Sequence, residues 1–132
     1  MGEPVRDGAA MIAGMNPRLD LQPYVFCTGG TPHAEALASF REDEGLSQIL
    51  PFDVAREAGY DVSLPMSRIV LEVHSALDGT GLTAAVSRAL DRAGIACNMV
   101  AAYHHDHVFV PQGDADRALA LLRKLQSDGR SA

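Results

Sequence analysis

Four stretches of this chain carry residue types that could do chemistry. His104-His105-Asp106-His107 combines imidazole and carboxylate, the ligand types of zinc and similar ions. Neighbours on a strand point to opposite faces, so adjacent histidines do not readily converge on one ion. A turn or interface role explains the segment more simply, with Asp106 tolerating turn geometry. His74 strengthens the metal case only if the sheet carries it to the side of His107. Glu42-Asp43-Glu44 follows Arg41 and reads as a solvated loop, because catalytic carboxylate pairs need environments that split their pKa values. Ser47 and Ser75 have no base at a recognisable spacing, so a nucleophilic triad has no support. The expectation is a protein that is not an enzyme and needs no cofactor or bound metal.

The fourth stretch is Ser75-Ala76-Leu77-Asp78-Gly79-Thr80-Gly81-Leu82-Thr83, between a strand pattern and a helix pattern. Gly79 and Gly81 permit positive φ and close backbone approach, and the following helix start presents unpaired N–H groups. That combination suits a carboxylate or another anion. It is equally the composition of a flexible connection, and both readings stay open. The spacing matches neither GxGxxG nor a Walker motif, so no nucleotide is indicated.

The elements that would position these residues are clearest in the second half. Arg68–Ser75 alternates, with Ile69, Leu71 and Val73 on one side, and predicts a strand. Leu82, Ala85, Val86, Ala89, Leu90 and Ala93 fall at helical spacing and predict a helix ended by Gly94. Ile95–Tyr103 and His107–Val110 predict two strands of a hairpin. Asp114 suits the N-cap of a last helix with Ala115, Ala118, Leu119, Leu122 and Leu125 as its apolar stripe. In the first half, Tyr24–Thr28 and Leu46–Leu50 read as strands and Phe52–Ala58 as a short helix stopped by Gly59. Ala34–Ser39 suggests one or two helical turns, and Tyr60–Ser67 a linker. The chain to about Asn16 reads as partly frayed.

The order of the second half is therefore βαββα, one strand short of a ferredoxin-like sheet. Gln126–Ala132 is too polar to supply a core strand. Tyr24–Thr28 or Leu46–Leu50 is the natural donor, since an open edge would otherwise pair with another chain. The fold class expected is α+β, with a ferredoxin-like unit at 67–132 and a smaller half at 1–66 sharing its antiparallel sheet.

Bulk properties bound the function. A 47% share of hydrophobic residues against 21% charged is that of a folded globular chain, not a disordered one. A net charge of −6 without a Lys/Arg cluster argues against nucleic acid. Met1–Met15 has no continuous apolar run, so neither a signal peptide nor a membrane partner is expected. Cys27 and Cys97, far apart and outside any CxxC pair, read as small buried hydrophobes of a reduced, cytoplasmic protein.

Asp78-Gly-Thr-Gly-Leu82, a helix ending in Arg92-Ala93-Gly94-Ile95, and Asn98 together resemble the ACT-domain pattern of a D-x-x-G-x-L loop, a helix and a G-I strand start. Ala101–Val110, Tyr24–Thr28 and Phe40–Ser47 are similar to segments of an uncharacterised family of short bacterial ACT-like proteins. The resemblance covers the chain from about Asn16 and implies two ACT-like units and a homodimer. In ACT domains that bind amino acids, the ligand lies against the first loop near the helix start, at an interface between units. Carried onto this chain, that implies a regulatory module with a small-molecule ligand, an amino acid for instance, at Asp78, Gly79, Gly81, Leu82 and Asn98. The alternative is an interaction and dimerisation module without a metabolite.

Overall fold

Residues 2–131 are described by a computed structural model. Twelve of them, Pro17–Thr28, form one long strand, β1, with partners on both edges. On one edge β1 pairs with β3 (Gly45–Pro51), from Tyr24 opposite Pro51 to Thr28 opposite Ser47. On the other it pairs with β4 (Met66–Leu71), from Pro17 opposite Leu71 to Tyr24 opposite Met66. β2 (Ala38–Glu42) joins β3 through a tight hairpin at Asp43-Glu44, where Gly45 has φ +143°. A β-carbon disfavours that conformation, and glycine does not. Beyond β4 lie β6 (Asp106–Pro111) and then β5 (Asn98–Ala101), giving the antiparallel order β2-β3-β1-β4-β6-β5. The first part of β1 is thus the fourth strand that the βαββα unit lacks, and the two halves share one sheet.

Four helices, α1 (Gly8–Ala13), α2 (Phe52–Glu57), α3 (Leu82–Arg92) and α4 (Ala115–Ser131), cover one face of this sheet. The stripe of α3 buries Leu82, Val86 and Leu90, and that of α4 buries Ala118 and Leu122. They meet Ile69, Leu71, Val108 and Val110 of the sheet, with Met11 and Met15 closing the core near α1. α2 covers Val25, Cys27 and Leu50 further along the same face. Burying these apolar groups is the main stabilising term.

The structure corrects several boundaries. The segment from Val5 to Met15 is built into the fold: Asp7 caps α1 by accepting from the Ala10 N–H at 2.9 Å, and Met11 and Met15 enter the core. Ala34–Ser39 is not helical, because its end belongs to β2. Met66 and Ser67 belong to β4 rather than to a linker. β4 also stops at Leu71, since the carbonyl of Met15 takes the N–H groups of Glu72 and Val73 at 2.7 and 3.4 Å. β5 is confined to Asn98–Ala101, and a 3₁₀ turn (Gln112–Asp114) precedes α4.

The polar tail has a structural task. As far as Ser131 it continues α4, and Gln126 and Arg130 both donate to the Ala13 carbonyl at 2.9 Å. Gln126 also donates to Asn16 Oδ1 at 2.8 Å. The end of α1, which lacks intrahelical partners, is held by α4. Gln126→Met keeps the volume and removes both of its bonds, so it should cost about 1 kcal/mol. A lower urea midpoint with an unchanged slope would register that cost. An unchanged midpoint would show that this tail does not hold α1.

Candidate functional site

The loop Ser75–Gly81 folds between β4 and α3 and is bound on its outer side by the N-terminal segment. Val5 donates to the His74 carbonyl and accepts from the Ala76 N–H, both at 2.7 Å. The approach is close. A β-carbon on Gly79 would lie 3.0 Å from the Arg6 carbonyl oxygen, and one on Gly8 would lie 2.5 Å from that of Thr80. Gly81, the residue before α3, has φ +109°, and no side chain caps the helix. The first-turn N–H groups of α3 therefore have no intrahelical partner.

These groups border a cleft of about 430 Å³ lined by Ser75, Gly79, Gly81, Thr83, Ala84 and Asp106, among others. Asp106 is the first residue of β6 and only 7% exposed. Its Oδ2 accepts from the Ser75 hydroxyl at 3.2 Å, and no Arg, Lys or His pairs with it among the described residues. One wall thus presents a buried carboxylate and another the positive end of a helix. Such a site suits a zwitterion, with an ammonium at the first and a carboxylate at the second.

Of the residues singled out from sequence, Gly79, Gly81 and Leu82 line this cleft. Asp78 stands beside it with its side chain in solvent, paired to Arg6 at 3.0 Å. Asn98 is not brought to them. On β5 it alternates with Met99, which packs toward the helices, and it lines a separate cleft on the opposite face with Phe26 and Met66. Ser75 and Asp106, which also line this cleft, were not singled out with them from the sequence. The turn assigned to Asp106 lies instead at 102–105, closed by the Ala102 N–H donating to the His105 carbonyl at 3.1 Å. The signal was available: Asp106, Val108 and Val110 share one parity, so the carboxylate sits on the buried face.

The histidines do not form a metal centre. The rings of His74, Tyr103 and His104 cluster in tilted and edge-on contacts, with the two imidazoles 5.4 Å apart, and His107 lies elsewhere against Arg68. Among the described residues no group of three or more His, Cys, Asp and Glu is placed to hold an ion. Ser47 and Ser75 donate to the carboxylates of Glu42 and Asp106, and neither hydroxyl donates to an imidazole or an amine among the described residues. Burial pushes both free thiols, Cys27 and Cys97, above the usual range, away from the reactive thiolate. No helix among the described residues is long and apolar enough to cross a membrane.

The helix-free face carries its own polar cluster, where β1 bulges. From Leu19 to Pro23 β1 takes four steps against two along β4, from Ile69 to Ser67, and Leu21 is pushed out to 91% exposure. Asp20, inside the bulge, accepts from Arg68 Nη2 and from the Tyr24 hydroxyl, each at 2.7 Å. Arg68 lies over the Tyr24 ring and 3.3 Å from His107 Nδ1. Burial raises the Asp20 carboxyl, but hydrogen bonds from Tyr24, Gln22 and Arg68 outweigh it and leave it below its ordinary value. His107 is held below its ordinary 6.5 by burial first and by the Arg68 cation second.

This pattern defines a class. A βαββα unit sharing a sheet with a second, smaller unit, with a glycine loop feeding an uncapped helix, has the architecture of paired ACT domains. Two ACT-domain family profiles match the sequence, one over residues 4–67 and one over 65–124. A protein of unknown function from Vibrio cholerae is 40% identical, with a TM-score of 0.77 over 86% of this chain and 92% of its own. The chain belongs to the ACT-domain family. An Agrobacterium tumefaciens protein, 23% identical, superposes with a TM-score of 0.59 over 79% of this chain and 80% of its own. The regulatory subunit of aspartate kinase from Thermus thermophilus, 12% identical, shares the fold with a TM-score of 0.63 over 85% of this chain and 97% of its own. No curated protein matches the sequence.

Two outcomes follow for the polar cluster. Arg68→Met strands the Asp20 carboxylate in a half-buried bulge and should cost about 3 kcal/mol, measured by urea unfolding. The lowered pKa of His107 means the unfolded chain binds a proton where the folded one does not. Stability is therefore full above 6.5 and falls as pH drops from there through the lowered folded value. His107→Asn should make the decline in Tm between about pH 7 and pH 5 shallower. An identical decline would remove His107 as a contributor.

Proposed function

We propose that this protein is a non-catalytic regulatory module that binds a free amino acid in the cleft between the loop Ser75–Gly81 and β6. The observation that carries the reading is Asp106, a buried carboxylate that has no basic partner among the described residues and faces the uncapped N-terminus of α3 across a cleft of about 430 Å³. The ammonium of the ligand takes the place of the missing base beside Asp106. Its carboxylate receives the free N–H groups of Thr83 and Ala84, with Gly79 and Gly81 allowing close approach. Asp78 steadies the loop through Arg6, and Asn98 stays outside this site. Membership in the ACT family supports a small-molecule ligand, and the shared fold of the aspartate kinase subunit supports regulation. Unpaired cysteines suit a cytoplasmic location, and the open edge of β2 suits a homodimer.

Thermal-shift screening against the twenty common amino acids tests the reading, with calorimetry on the best of them. A ligand at a hundredfold excess over its Kd adds about 2.7 kcal/mol, which is about 8 °C in Tm for a chain of this size. Asp106→Asn keeps the shape and the bond from Ser75, and it should weaken binding at least tenfold. N-acetylation of the amino acid should do the same. Absence of stabilisation by any amino acid, or full binding by Asp106→Asn, would overturn the proposal.

A further inference from the structure

A second cleft, of about 490 Å³, lies on the face that carries no helix. We propose that it binds a small amphipathic amine, a molecule with an aromatic or branched apolar body and one ammonium group. The site is independent of the α3 cleft, being on the other side of the sheet. Curling of the sheet builds it: Ala38 and Phe40 of β2 and Val100 of β5 line one cavity, although these strands are the two outer edges. Ile49 and Phe26, from β3 and β1, complete the apolar part.

This apolar surface is left in water, and one of its two rings is packed from below. Phe40 is 74% exposed and Phe26 47%. The Phe26 ring meets Phe109 edge-on at 5.2 Å, and Phe109 meets Tyr24 the same way at 6.2 Å. Tyr24 is in turn tied to Asp20. A ligand body would therefore find the Phe26 ring already oriented and lose little to ordering it. The volume is in the range that holds a small molecule.

Charge decides which amphiphile fits. One end of the cleft is lined by Thr28, Ser47 and Glu42. The Glu42 carboxylate accepts from the Ser47 hydroxyl and has no basic partner among the described residues. Arg41, next along β2, projects to the other side by strand alternation. The exposed faces of Phe26 and Phe40 also favour a cation over an anion. With a chain charge of −6, a carboxylate-headed amphiphile is repelled and an ammonium-headed one attracted. A ligand touching β2 and β5 together would clamp the outer strands of the two halves against each other.

The test is methyl NMR of the full chain with three matched probes, 4-phenylbutylamine, 4-phenylbutanol and 4-phenylbutyrate. The amine should shift the Ile49 and Val100 methyls saturably, and the butyrate should bind at least tenfold more weakly. Glu42→Gln should reduce the amine to the affinity of the alcohol. Phe40→Ala, an exposed change that spares the fold, should weaken amine and alcohol alike. The proposal is overturned if no probe moves these methyls, if the butyrate equals the amine, or if Glu42→Gln changes nothing. If the Val100 methyl on β5 shifts with protein concentration in the absence of any probe, a second copy fills the cleft rather than pairing along the edge of β2, and the proposal is overturned. The amides of Thr83 and Ala84 report the other site, so failure here leaves the amino acid reading standing.

Discussion

The structure depends on one strand being shared. β1 completes the C-terminal βαββα unit with its first residues and pairs with β3 through its last ones. The two stretches are not collinear in register, and the bulge between Leu19 and Pro23 absorbs the difference. A bulge leaves backbone unpaired and twists the strand, so something must fix it. Asp20 does so, held by the Arg68 guanidinium and the Tyr24 hydroxyl, and by the Gln22 N–H at 2.9 Å. Both Arg68 and Asp20 keep only about one sixth of their side-chain surface in water. At that burial the cost of taking both charges out of water offsets much of their attraction, so the pair adds little net free energy while its loss would leave a charge unpaired.

From that strand the two candidate sites follow. On the helix side, β1 leaves room for α1 and the N-terminal segment to close over the glycine loop, which shapes the α3 cleft. On the other side, the curl of the six strands carries β5 toward β2 and leaves a pocket lined by Phe26, Phe40 and Val100. The loop glycines answer two demands. Gly8 and Gly79 are required by packing, because a side chain would meet a neighbouring carbonyl. Gly81 is required by its positive φ, and it leaves the helix start without a side-chain cap. Gly79 and Gly81 also line the α3 cleft, whereas Gly8 does not.

How far the sequence disclosed this can be traced residue by residue. The stripes of α3 and α4 and the strand around Ile69 and Leu71 were legible, since their periods are long and one side is apolar. The need for a fourth strand was legible too, by counting. β1 itself was half hidden: Arg18, Asp20 and Gln22 make its first part look polar, and the compensating partners Glu72 and Arg68 lie some fifty residues away. α1 was hidden because a helix of six residues is stable only when packed, and the residues that hold its end belong to α4. In the site, the glycine loop was found by composition, whereas Asp106 was masked by its histidine neighbours. Asn98 came from the family pattern, and strand alternation then placed it on the far face.

An amino acid in the α3 cleft would set its carboxylate at the start of α3 and its ammonium at Asp106. A crystal structure with the amino acid that raises Tm most tests it directly. The account predicts the ligand carboxylate about 3 Å from the amide nitrogens of Thr83 and Ala84, and its ammonium about 3 Å from Asp106. Ligand bound on the opposite face, or in this cleft with its ammonium turned away from Asp106, would contradict it.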